Sequence, residues 1–176
     1  MRHPSGEDET AGEAFWRFSL ALYSRPGVAD ALIRVQDRAA RDVNLILFGL
    51  WLGASQGRRL AAADLAGAEA AIAPISGAVV APLRQLRRQL KPAADPDFQA
   101  LRRCVAGLEI AAERRVQYRL AARFPGASGA QPEGDRLAAA EANLALYLGD
   151  DSRSAEAAAL CQALAAFIRR AERSRH

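Results

Sequence analysis

The chain has 176 residues, 51% of them hydrophobic and 25% charged, with 24 Lys and Arg against 20 Asp and Glu. Those proportions fit one folded domain and exclude wholesale disorder. The 41 alanines, 23 arginines, single lysine (Lys91), single threonine (Thr10) and few β-branched residues favour helix throughout, so the fold class reads as all-α.

Residues 1–12 read as a disordered lead. A first helix is expected from about Glu13 to Tyr23, with Phe15, Phe18, Leu22 and Trp16 on a broad apolar face, ended by Ser24-Arg25-Pro26-Gly27. The second, Gly27 to about Ala39, lines up Val28, Leu32, Val35 and Ala39. Asp42 is a natural N-cap for a third helix over about 43–55, and Gly57 closes it. That helix is apolar nearly all round and belongs at the centre of a bundle, with Gly49 and Gly53 forming a thin face that a neighbouring backbone can approach. Its longest apolar run, Val43 to Ala54, is well short of the roughly 20 residues of a membrane span, so no span is expected.

A fourth helix, Ala61 to Ala73, should stop before Pro74. A fifth, Ser76 to Leu90, carries Val79, Val80, Leu83, Leu86 and Leu90 as its inner side and should kink or restart at Pro82. Asp95-Pro96 opens the longest helix, to about Ala122, with Phe98, Leu101, Val105, Leu108, Ala112, Val116 and Leu120 as its apolar stripe. Residues 124–134, rich in Gly and Pro, form a long loop. Two more helices follow, Asp135 to Leu148 and Ser154 to Ala171, before a short disordered tail at 172–176. The expectation is a single irregular bundle of six to eight helices, spanning 13–171, around the central helix at about 43–55.

The chemistry open to the chain is narrow. Both histidines, His3 and His176, lie at the ends, so a Ser–His–Asp, Cys–His or His-containing metal site is not expected. Cys104 and Cys161 fall on separate helices in no CxxC pattern and read as small buried hydrophobes. No Gly-rich phosphate loop is present. The polar, acidic N-terminus matches neither a signal nor a transit peptide, which points to a cytoplasmic protein. No cofactor is implied, and non-enzymatic work is favoured over catalysis.

Positive charge is concentrated in residues 58–123, where twelve basic residues face six acidic ones. Arg84, Arg87, Arg88 and Lys91 share one helical face at i, i+3, i+4 and i+7, a candidate site for an anion or an acidic partner. Arg102, Arg103, Arg114, Arg115, Arg119 and Arg123 on the long helix are expected to extend it. Glu109 and Glu113, four apart, are weak candidates for Mg²⁺ with Asp30 and Asp37 as a second acidic pair, in the manner of isoprenoid synthases. Pairing with Arg84, Arg88 or Arg102 is the plainer role for these glutamates. Asn44 reads as a structural polar residue that bonds an unpaired N–H or a neighbouring helix.

The runs Phe15 to Val28, Leu32 to Arg38 and Asp42 to Leu52, with Val79 to Lys91 and Glu109 to Leu120, resemble a proteobacterial family of short conserved hypothetical proteins, a domain of unknown function. The resemblance spans about residues 13–122 and implies a cytoplasmic bacterial protein with no assigned catalytic residue. It draws together three stretches that, if they converge, form a polar site among Arg34, Asp37, Asp42, Asn44 and Arg84. The leading functional expectation is an adaptor or regulator that binds an acidic protein surface through the Arg84–Lys91 face. Nucleic-acid or ribosome association through the same face, without a recognisable motif, is the second. A small helical enzyme or binder of a phosphorylated ligand is the third; a deep polar pocket holding Glu109 and Glu113 would mark it, and a core filled by Leu, Phe and Trp would count against it.

Overall fold

The computed structural model describes residues 6–124 and 133–173, and every regular element among them is helical. In chain order these are α1 (Gly6–Tyr23), α2 (Val28–Ala39), α3 (Val43–Gln56), α4 (Ala62–Ile75), α5 (Ala81–Gln89), α6 (Pro96–Ala121), α7 (Glu133–Leu148) and α8 (Ala155–Arg173). The all-α bundle is as expected. Helix α1 begins at Gly6, ahead of the expected Glu13; there Gly12 lies against the Tyr118 ring of α6, where a Cβ would come within 2.7 Å. The expected loop falls outside the described residues over 125–132, as do 1–5 of the lead and 174–176 of the tail, while α8 reaches Arg173.

Helix α3 forms where Asp42 caps it: the Asp42 carboxylate accepts from Asn44 N–H at 2.8 Å, and Gly57 ends it with a left-handed φ of 63°. With no polar side to offer water, the helix is enclosed by α1, α2, α6, α7 and α8, and its residues from Asn44 to Ala54 are all buried. The thin face is used as expected. A Cβ on Gly53 would sit 2.2 Å from the Ala140 backbone nitrogen on α7, and one on Gly49 would sit 3.2 Å from the Asn143 Cβ. Trp51 stacks on Phe15 of α1 at 4.9 Å between ring centroids, within the core.

Asn143 ties this contact to the following loop. Its Nδ2 donates to the Gly49 and Arg58 carbonyls at 2.9 and 2.8 Å, and its Oδ1 accepts from Leu60 N–H at 2.7 Å. Asn143→Leu keeps the volume but leaves these partners unmatched, so it is expected to lower the unfolding free energy by about 2 kcal/mol in urea denaturation. A loss below about 0.5 kcal/mol would contradict this role.

Three expectations need correction. The fourth helix does not stop at Pro74. It passes into a π-helical turn over Ser76–Val80 and on into α5, giving one helical rod over Ala62–Gln89. Pro82 closely follows the π-turn, whose wider bonding gives room to a ring that would otherwise press on the carbonyl four residues back. By length and composition this rod, rather than Val43–Ala54, is the helix long and apolar enough to cross a membrane, with an 18-residue window of mean hydropathy 1.4 that is 17% buried.

The second correction is rotational. Val80 is buried as expected, but Val79 and Leu86 are 42% and 43% exposed, and Arg84 and Arg87 turn towards α6 instead. On the first half of α6, Phe98, Leu101 and Leu108 likewise face outward, while Val105, Glu109, Val116, Gln117 and Leu120 face inward. Ion pairing between the two helices sets this rotation, since burying four charged groups is tolerated only if they meet. The third correction is Cys104, which is exposed. Cys161 is half-buried, and burial pushes its thiol up to about 11.

Candidate functional site

Between α1, α2, α3, α5 and α6 lies a cavity of about 680 Å³. Its walls are built by the rotation just described. Arg84 Nε and Nη2 donate to Glu109 Oε1 at 3.1 Å and Glu113 Oε1 at 2.7 Å, and Arg87 closes a second pair on Glu109. Glu109 is the most buried member, its side chain 6% exposed. Burial opposes its ionisation, but the hydrogen bonds from Arg87 and Arg84 outweigh burial and hold the carboxyl below its ordinary value. For Glu113 burial prevails over Arg84 and pushes the carboxyl up.

Three uncharged polar residues form the inner end. Gln117 Nε2 donates to Asn44 Oδ1 at 3.0 Å across the α6–α3 contact, which is the interhelical role expected of Asn44. Gln117 and Ser19 are 2% and 3% exposed, yet Gln117 Oε1 and Ser19 Oγ have no hydrogen-bond partner. Trp16, Leu20, Tyr23, Ile33, Val43, Leu47 and Ile110 supply apolar wall. Burial raises the Tyr23 hydroxyl above its ordinary value, with Glu113 adding to the effect. At the rim stand Arg88, Lys91, Arg102 and Arg103.

Six cations and two carboxylates therefore line the cavity. Arg84 and Arg87 are neutralised by the glutamates, and Arg88 pairs with Asp37 of α2 at 3.1 Å. Lys91, Arg102 and Arg103 form no ion pair among the described residues, and Arg102 Nε is buried without a partner.

Of the polar residues expected to converge, Asn44 and Arg84 line the cavity and Asp37 reaches its edge through Arg88. Arg34 does not join them: with Arg38 it pairs with Glu156 of α8. Asp42 is spent on structure, accepting from Ser76 Oγ at 3.0 Å while its N–H donates to Tyr147 Oη at 2.9 Å. Glu109 and Glu113 meet arginines rather than Asp30 or Asp37, and no group of three metal-ligating side chains occurs among the described residues.

The sequence reading missed Ser19 and Gln117, and took Trp16 for core where it lines the cavity. Ser19 did carry a signal. It interrupts the buried Phe15–Leu22 stripe at helical spacing, and a polar residue there needs either a partner or a ligand. Gln117 had none that periodicity alone would single out.

Neither a curated protein nor a solved structure matches the chain. A family model, described as protein of unknown function (DUF2390), matches residues 14–120, which hold every residue lining the cavity. The match covers more than half of the chain, and the protein belongs to that family of unknown function.

Proposed function

We propose that the protein binds a small organic anion in this cavity. The observation that carries the reading is charge left over after internal pairing: among the described residues Lys91, Arg102 and Arg103 form no ion pair, at the rim of a concave, mainly apolar chamber. A volume of about 680 Å³ suits a small molecule, since such sites run from about 300 to 1,000 Å³. An arginine fork offers two parallel donors to a carboxylate or phosphate, and the apolar wall receives the rest of the molecule. Glu109 and Glu113 both lie in the wall of this chamber.

Isothermal titration with hexanoate and with ethyl phosphate tests the reading. At least one of them should bind saturably at one site and lose tenfold or more in affinity in the double variant Arg102→Glu/Arg103→Glu. Absence of saturable heat with both probes, and with 6-aminohexanoate and 2-aminoethyl phosphate as well, would refute it.

A second reading places an acidic segment of a partner protein on the same rim, favoured by the exposure of Arg88, Lys91 and Arg103. Its test must avoid Arg84 and Arg87, because their reversal would put like charges against Glu109. Lys91→Glu/Arg103→Glu leaves those pairs intact. Under this reading it abolishes capture of the partner from lysate.

A further inference from the structure

We infer that the inner end of the cavity receives a primary ammonium, so that the anion bound is an amine-bearing one: an amino carboxylate or an aminoalkyl phosphate. This rests on the anion-binding reading and names the ligand class within it.

The two ends of the cavity differ in hydrogen-bonding character. Donors dominate the rim, where Lys91, Arg102 and Arg103 form no ion pair among the described residues. Acceptors dominate the inner end. The Gln117 amide nitrogen is committed to Asn44 Oδ1, which leaves Gln117 Oε1 unmatched, and Ser19 Oγ, of another buried lining residue, is unmatched too. Glu113 stands four residues before Gln117 on the same face of α6, and only its Oε1 is bonded, to Arg84 Nη2. An anionic head at that end would meet the lone pairs of Gln117 and the carboxylate of Glu113. Arg84 has no charge to spare for it, since Glu109 and Glu113 already hold its fork.

An ammonium presents three donors and one positive charge. Those donors match the three vacant acceptors, Gln117 Oε1, Ser19 Oγ and the second Glu113 oxygen. Leu20, Val43, Leu47 and Ile110 lie in the wall as contact surface for the ligand's aliphatic stem.

The test uses two pairs of probes that differ by the amine: 6-aminohexanoate against hexanoate, and 2-aminoethyl phosphate against ethyl phosphate, each titrated calorimetrically into the full chain at pH 7. At least one amine-bearing member should bind tenfold or more tightly than its counterpart. In Gln117→Leu and in Ser19→Ala, both checked for native helicity, that advantage, taken as the ratio of the two affinities within each variant, should shrink at least threefold. If the amine-free probes bind and neither amine-bearing one binds more tightly, the ammonium assignment is overturned and the anion-binding reading stands. An amine advantage that persists in both variants overturns the assignment too, by locating the ammonium elsewhere. If no probe binds, both readings fall.

Discussion

Gly53→Ala is expected to lower the free energy of unfolding by about 3 kcal/mol, the upper part of the range for overpacking a tight contact. The added methyl would lie 2.2 Å from the Ala140 nitrogen and 2.3 Å from its Cα. Backbone cannot swing aside as a flexible side chain can, so α7 as a whole must move off α3. For a chain of this size the melting temperature should fall by about 6–12 °C. Gly107→Ala is the control, because nothing lies within 4 Å of the new methyl and α6 is helical there. That variant should be unchanged or up to about 1 kcal/mol more stable. A Gly53→Ala protein within 1 kcal/mol of the parent would contradict the close α3–α7 packing.

The second large effect is at Glu109. Glu109→Gln leaves Arg87 without its carboxylate and Arg84 with only Glu113. Breaking a fully buried pair costs about 3–5 kcal/mol, but the arginine side chains are 21% and 31% exposed, so about 2 kcal/mol is expected at pH 7. The loss depends on pH. Glu109 titrates below its ordinary value of 4.5 in the folded chain, so its contribution is present above that value and disappears as pH falls through the folded one. The gap between parent and Glu109→Gln should therefore close towards pH 3.

Glu113 has the opposite sign. Its folded value lies above 4.5, so the native chain loses stability as pH rises from 4.5 through that value. Relative to the parent, Glu113→Gln should gain stability over the same rise. Urea denaturation at pH 3.5, 5 and 7 measures both, and parallel pH profiles for the two variants would contradict the assigned environments.

Much of the scaffold was legible in the sequence because it rests on local rules. Asp42 and Asp95 cap their helices, Gly57 ends one, and an all-apolar helix must be enclosed, as α3 is. Gly49 and Gly53 announced a close approach without naming its partner, Ala140 and Asn143 on α7. Stripes of Leu also placed α7 and α8 correctly, with Leu144, Leu148, Leu160 and Leu164 all buried.

Periodicity failed where charge competed with it. On α5 and the first half of α6, the apolar residues Leu86, Leu101 and Leu108 read as the inner side. The rotation is decided instead by pairing Arg84 and Arg87 with glutamates more than twenty positions away, a contact that no window along one helix reveals. An arginine can bury its aliphatic stem while its head finds a partner, so charge does not by itself mark an outward face. The same limit hid the cavity. Ser19, Asn44 and Gln117 come from three helices, and only their packing brings them to one chamber. Pro74 misled as well: α4 carries it in its last turn and runs on into the π-turn instead of stopping.

The central claim is that this chamber holds an organic anion, and backbone amide chemical-shift mapping during titration with hexanoate tests it most directly. The account predicts saturable shifts that cluster on Ser19, Leu47, Arg102, Ile110 and Gln117, and their absence in Arg102→Glu/Arg103→Glu. Shifts that do not saturate, or that cluster on α7 and α8, would contradict it.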